Sequence, residues 1–164
     1  MIDGFYILQH LGYYFRYLKP EGSKKRVWRI LLSTNILKKK IKNERLKVFL
    51  GDLSYINNQS QYSLFVPLNI GYIASYAKKL FKRDVEVTLF KDPQQILEQI
   101  RDQRPAILGL SFYYWNTALN HAVVRETREI LGDNVTIIWG GPSVDSDLSQ
   151  QGKLFDRFPE VDAF

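Results

Sequence analysis

Ala106-Ile107-Leu108-Gly109-Leu110-Ser111 is the stretch on which the fold turns. Six residues with no charge, preceded by Pro105 and followed by aromatic residues, read as a short strand buried on both faces at the centre of a parallel sheet. Such a strand needs neighbours on both sides and layers above and below it, so the flanking sequence must supply both.

Both flanks do. Upstream, Val85-Glu86-Val87-Thr88-Leu89-Phe90 is a β-branched run, and Asp92-Pro93 with Gln95 has the spacing of a helix cap, an N1 proline and a capping box. A helix is predicted from there to about Gln103. Further upstream, Lys47-Val48-Phe49-Leu50-Gly51-Asp52 reads as the first strand, and Ile70, Ile73, Ala74, Ala77 and Leu80 recur on one face of a helix over 67–81 that Pro67 opens. Downstream, Asn116 is placed to cap a helix carrying Leu119, Ala122, Val123, Ile130 and Leu131, with Gly132 at its left-handed exit. Val135-Thr136-Ile137-Ile138-Trp139 is a fourth strand ending in Gly140-Gly141-Pro142. A short helix is expected around 145–153, and Pro159-Glu160-Val161-Asp162-Ala163-Phe164 reads as a fifth strand just starting.

Alternating strands and helices with right-handed crossovers give a three-layer α/β domain, flavodoxin-like or Rossmann-like, with strand order 2-1-3-4-5 and an incomplete fifth strand. The chain therefore reads as two parts. Residues 47–164 form the domain, expected to be truncated at its C-terminus, and residues 1–46 form a helical extension. Charge divides at the same place: residues 1–46 hold eleven Lys and Arg against three Asp and Glu, residues 47–164 twelve against fourteen, so the extension carries +8 and the domain −2 of the chain's net +6. Leu8, Leu11, Phe15 and Leu18 share one helical face of the extension, and Val27, Ile30, Leu31, Thr34, Leu37 and Ile41 another. Packing against the domain or a partner, and peripheral contact with an anionic membrane surface, both remain open for it. No nucleic-acid recognition motif accompanies the basic residues, so nucleic acid is not an expected partner.

Several chemistries are excluded by residue type. The chain has no cysteine, so it builds neither a disulfide nor a cysteine-ligated zinc or iron–sulfur site. His10 and His121 have no acidic or histidine neighbours at metal spacing, and no metal ligand is expected. Neither Gly-x-Gly-x-x-Gly nor Gly-x-x-x-x-Gly-Lys occurs, and no Gly-x-Ser-x-Gly turn or edge carboxylate pair suggests self-contained catalysis. The longest uncharged run, Leu53 to Ala77, is too rich in Asn, Gln and Ser to span a bilayer, and no leader pattern opens the chain, so a cytoplasmic location is expected.

Three segments converge on the carboxyl edge of such a sheet: Gly51-Asp52-Leu53-Ser54, Ser111-Phe112-Tyr113-Tyr114-Trp115-Asn116 and Trp139-Gly140-Gly141-Pro142-Ser143. Gly140 and Gly141 allow a close backbone approach by a ligand or serve a tight turn; the aromatic run forms a flat apolar wall or packs.

Taken with Pro67-Leu68-Asn69-Ile70-Gly71-Tyr72-Ile73-Ala74, Ile107 to Ser111 and Pro159-Glu160-Val161-Asp162, these segments resemble the cobalamin-binding domain that precedes the catalytic barrel of radical S-adenosylmethionine enzymes, over about residues 47–164. The resemblance implies cobalamin as cofactor. It gives Pro67 and Gly71 the opening of the first helix, Ser111 the strand end beneath the corrin, and Gly140, Gly141 and Pro142 the turn beside the nucleotide tail. Asp52, Ser54, Tyr113, Trp115 and Asn116 complete the implied site. The Asp-x-His-x-x-Gly loop that ligates cobalt in other cobalamin domains is absent, so no side-chain cobalt ligand is expected; Tyr113, Tyr114 or Trp115 is implied as cover for the lower corrin face. The family's Gly-Glu-Gly-Glu-like segment and Cys-x-x-x-Cys-x-x-Cys motif are absent too. The expected function is thus a cobalamin-binding module of a methyltransferase-like radical enzyme, not catalytic alone, with a radical S-adenosylmethionine domain as partner. A non-catalytic interaction protein with a ligand-free domain is the alternative.

Overall fold

A computed structural model describes residues 45–55, 66–145 and 147–164. The predicted extension, including His10 and both amphipathic faces, lies outside these residues, as does most of the loop after the first strand.

Among the described residues four strands and four helices alternate: β1 Leu46–Gly51, α1 Leu68–Phe81, β2 Val85–Phe90, α2 Pro93–Gln103, β3 Ile107–Ser111, α3 Thr117–Leu131, β4 Thr136–Gly140 and α4 Leu148–Arg157. The strands form one parallel sheet in the order β2-β1-β3-β4. This matches the doubly wound reading through strand four. The fifth strand is reduced to a single parallel bridge between Ile138 and Ala163, where Trp139 N–H donates to the Ala163 carbonyl at 2.9 Å.

Local chemistry sets the element ends. Asp92 caps α2, its carboxylate accepting from the Gln94 and Gln95 N–H groups at 2.8 and 3.3 Å, and Pro93 occupies the first turn where no N–H is needed. Arg104 leaves α2 in the left-handed region at φ 48° ahead of Pro105. Gly132 leaves α3 at φ 57°. Two expectations shift: Pro67 stands at the cap of α1 rather than inside it, and Asn116 belongs to a single 3-10 turn over Tyr114–Asn116 and caps no backbone N–H of α3, its Oδ1 accepting instead from the Asn120 side chain at 3.3 Å.

The register sorts the strand side chains onto two faces. Phe49, Phe90, Leu108, Leu110, Ile137 and Trp139 point to one, where Ile96 and Ile100 of α2 and Val123, Val124 and Leu131 of α3 bury them. Trp139 is fully buried among Phe112, Phe158 and Phe164, with ring centroids 4.8 to 6.0 Å away. Ala122, expected on the buried face of α3, is exposed, while Asn120 and Thr127 are buried. Arg128 on α3 anchors the chain end: its guanidinium meets Asp162 Oδ2 at 2.5 Å and donates to the carbonyls of Glu160 and Val135 at 2.8 Å each.

The second face differs. Leu46, Leu50, Val85 and Val87 are covered by Ile70 and Ala74 of α1. Ile107, Gly109 and Ile138, however, stay only partly buried, and Gly140 is exposed. β3 is therefore not buried on both faces as its composition suggests. Its apolar residues on the second side line a groove instead of a packed layer.

Candidate functional site

That groove lies on the second face between α1 and the β3–β4 half of the sheet. Its volume is about 530 Å³. It runs from Leu46, Phe81 and Val85 at the amino edge to Asn69, Ser111, Tyr113 and Gly140-Gly141-Pro142 at the carboxyl edge, with Val48, Ile107 and Ile138 between. The walls are apolar almost throughout, and the polar groups gather at the carboxyl mouth. A pocket of this size and composition with a few converging polar groups is the usual form of a small-molecule site.

Asn69 organises the mouth. It stands in the first turn of α1 and donates from Nδ2 to Ser111 Oγ at 2.8 Å and to Tyr113 Oη at 3.0 Å, tying helix to strand end. Its Oδ1 is buried and has no hydrogen-bond partner. A buried amide oxygen left unmatched costs about 1–3 kcal/mol, so it is an acceptor ready for a donor.

Behind Ser111 sits Asp52, at the end of β1. Burial raises its carboxyl above the ordinary value of 3.8, while the hydrogen bond with Ser111 and the charge of Lys91 oppose that rise. Ser111 thus lies between an acidic group on one side and Asn69 on the other, which fixes its hydroxyl at the strand end.

Gly140 and Gly141 divide the two roles their sequence left open. A Cβ at Gly140 would meet nothing within 4 Å, so this glycine opens space at the mouth. A Cβ at Gly141 would lie 2.7 Å from the Phe112 carbonyl oxygen, and its φ is +145°, so here glycine is required by the turn itself. The turn is held by Phe112 N–H donating to the Gly140 carbonyl at 2.7 Å and Val144 N–H to the Gly141 carbonyl at 3.1 Å.

The structure thus brings Ser111, Tyr113, Gly140, Gly141 and Pro142 together on the groove, with Asp52 joined to them through Ser111. Pro67, Gly71, Ser54, Trp115 and Asn116 do not line it. Pro67 caps α1, and its carbonyl accepts from the Gly71 N–H at 3.1 Å. Ser54 N–H donates to the Lys91 carbonyl at 3.2 Å. Asn116 is fully buried and serves the backbone: Oδ1 accepts from Tyr113 N–H at 3.0 Å, and Nδ2 donates to the Ser111 carbonyl at 3.0 Å. Asn120 Nδ2 donates to the same carbonyl at 2.8 Å. Trp115 stacks on Tyr113 with centroids 4.4 Å apart and planes 11° from parallel, forming an aromatic shelf beside the mouth, and Tyr114 projects into solvent at 82% exposure.

Asn69 and Asn120 are the site residues that the sequence reading missed. Asn69 left a signal: it falls four and eight residues before Ile73 and Ala77, so a polar side chain occupies the stripe of α1 that faces the groove. Asn120 left none, because an Asn in the first turn of a helix is ordinary. His121 is elsewhere, its Nε2 3.3 Å from Glu160 Oε2 and its ring against Phe158. Among the described residues no group of three His, Cys, Asp or Glu is placed to hold a metal ion, and no helix is long and apolar enough to cross a membrane.

The architecture defines a doubly wound α/β domain with its candidate site at the carboxyl edge of the sheet. No protein-family model matches the chain, and no curated protein matches it. Among solved structures, a cobalamin-binding protein from Desulfitobacterium hafniense DCB-2 is similar at 20% identity and a TM-score of 0.44, with 74% of this chain and 52% of that one covered. The chain thus spans about half the length of that protein.

Proposed function

We propose that the groove receives the nucleotide tail of cobalamin and that the chain is a cobalamin-binding module. The observation that carries this reading is the pairing of an open Gly140 with an unpartnered Asn69 Oδ1 at the mouth of an apolar channel. A bulky ligand with an apolar end and amide donors fits that pairing: the apolar end enters between α1 and β3, and an amide N–H reaches Asn69. The residues that would hold it are Asn69, Ser111, Tyr113, Gly140 and Pro142, with the Tyr113–Trp115 shelf beside them. The motifs that resemble the cobalamin domains of radical enzymes fall in this set at Ser111 and Gly140 to Pro142.

Cobalamin, when bound, supplies methyl or radical carriage at its cobalt. The chain's own residues bind and orient: Ser111, fixed between Asp52 and Asn69, offers its hydroxyl at the strand end, and the apolar walls exclude water from the tail. His121 is engaged by Glu160 and Phe158 away from the groove, which supports binding without a side-chain cobalt ligand. With no thiolate in the sequence, the iron–sulfur cluster of a radical S-adenosylmethionine reaction would come from a partner domain, and the substrate would be chosen there.

Isothermal titration with hydroxocobalamin tests the reading. Saturable binding by the unaltered chain is expected, weakened about tenfold or more by Gly140→Val, which fills the open space, and by Asn69→Leu, which removes the acceptor. Absence of saturable binding by the unaltered chain overturns the cofactor and leaves the interaction-protein reading.

A further inference from the structure

We propose that residues 27–41 form a helix that packs on the open half of the second sheet face, alongside α1 and over β3 and β4, as the outer wall of the groove.

The first argument is the space available. Neighbouring strands are about 4.8 Å apart and a helix is about 10 Å across, so a four-stranded sheet takes two helices side by side on each face. The first face has α2 and α3 in those lanes. The second has α1 over β1 and β2, and the lane over β3 and β4 carries Ile107, Gly109 and Ile138 partly open to solvent. Thr136 on the same face of β4 is buried, so the open part of the lane is the apolar stretch at Ile107, Gly109 and Ile138, which calls for a layer above it and not for water.

The second argument is connection. β1 begins at Leu46 on the amino edge, so a segment ending at Ile41 joins it through four residues, 42–45, an ordinary length for a link between a helix and a strand. So short a link holds the end of the helix near the amino edge, and a helix packed on the sheet there runs antiparallel to β1, starting near the carboxyl edge and ending at the amino edge. The first face is closed to it by α2 and α3, and the β1–β2 lane of the second face by α1. One lane remains.

The third argument is the segment itself. Val27, Ile30, Leu31, Thr34, Leu37 and Ile41 fall on one helical stripe, with Arg29, Lys39 and Lys40 on the far side; Lys38 falls on the stripe itself, where its aliphatic stem can lie along apolar surface while the ammonium reaches water. Fifteen helical residues are about 22 Å long, close to the roughly 17–20 Å of a five- or six-residue strand. The apolar stripe and the open lane therefore match in chemistry and in length. In this position the helix closes the side of the groove and leaves its mouth, at Asn69, Ser111 and Gly140, as the entrance. The inference concerns what covers the sheet and does not rest on cobalamin.

The absence of cysteine makes the test clean, because one introduced thiol reports one place. Ile138→Cys in the full chain puts that thiol in the open lane, and Tyr76→Cys on the exposed side of α1 serves as reference. Labelling with a maleimide is expected to be at least about tenfold slower at position 138 than at 76, and to speed up about tenfold when Leu31→Asp or Leu37→Asp is added but not with Lys39→Glu. Labelling at 138 as fast as at 76 overturns the proposal. So does slow labelling that ignores Leu31 and Leu37, that vanishes on dilution as a second copy would dictate, or that arises only when cobalamin is added. Where the aspartate variants unfold, amide hydrogen exchange on the unaltered full chain decides: residues 30–41 exchanging at least about a hundredfold slower than unstructured peptide supports the helix, and unprotected exchange overturns it.

Discussion

Gly141 rests directly on the backbone of Phe112: a Cβ added there would lie 2.7 Å from the Phe112 carbonyl oxygen and 3.1 Å from its nitrogen. The contact is backbone to backbone, so no side chain can move aside to relieve it. Gly141→Ala is expected to lower stability by about 2–4 kcal/mol, combining the positive φ with the overlap. Gly140→Ala, one residue earlier in open space, is expected to change stability by less than about 1 kcal/mol. Urea denaturation of the two variants without any ligand checks the contrast, and equal losses at 140 and 141 would refute it.

Arg128 and Asp162 join α3 to the beginning of the fifth strand in a buried ion pair, and Asp162 Oδ2 also accepts from the Ile137 N–H at 2.7 Å. Removing the carboxylate leaves the guanidinium with carbonyl acceptors but no counter-charge, and the Ile137 N–H without its acceptor. Asp162→Ala is expected to cost about 3 kcal/mol or more, the usual result of breaking a buried pair from one side. Chemical denaturation measures it; a loss below about 1 kcal/mol would mean that water reaches Arg128 freely.

Strand positions in this domain are legible because a parallel sheet writes itself as uncharged β-branched runs at regular spacing. Val85–Phe90 falls where its sequence puts it, and Asp92-Pro93 caps α2 as its side chains dictate. What the sequence cannot carry is which side of a strand is covered. Ile107 and Leu108 are equally apolar, yet Leu108 is buried under α2 and α3 while Ile107 borders the groove, a difference set by helices distant in sequence. The glycine pair shows the same limit: the letters Gly140-Gly141 do not say that one is for space and the other for the turn. Asn116 was legible as a special residue but not in its role, because its side chain turns inward to hold the end of β3 and not outward to cap a helix.

His121 is held by Glu160 and Phe158 and is not part of the groove lining. His121→Ala, and His10→Ala in the extension, are therefore expected to leave the visible absorption spectrum of chain-bound hydroxocobalamin unchanged. A spectral shift confined to one of these variants would identify that imidazole as a cobalt ligand and refute the histidine-free mode.

Asp52 gives the domain a pH dependence whose sign follows from its surroundings. Burial lifts its folded-state carboxyl above the ordinary 3.8, against the opposing influence of Ser111 and Lys91. A raised carboxyl binds its proton more tightly in the folded state than in the unfolded one. The stability associated with it is therefore fully present below about pH 3.8 and is lost as pH rises through the folded-state value, so the ionised group is a liability at neutral pH. Asp52→Asn keeps the shape and a hydrogen-bonding group for Ser111 while removing the charge. At pH 7 this variant is expected to melt higher than the unaltered chain, by a few degrees at most, since the carboxyl is not fully enclosed. At pH 3, where Asp52 is protonated in both states, the two curves should coincide. Thermal melts of both proteins across pH 3 to 7 test this. A variant that melts lower at pH 7 would show that the ionised carboxylate, through Ser111 and Lys91, stabilises the end of β1, and that burial is not its dominant influence.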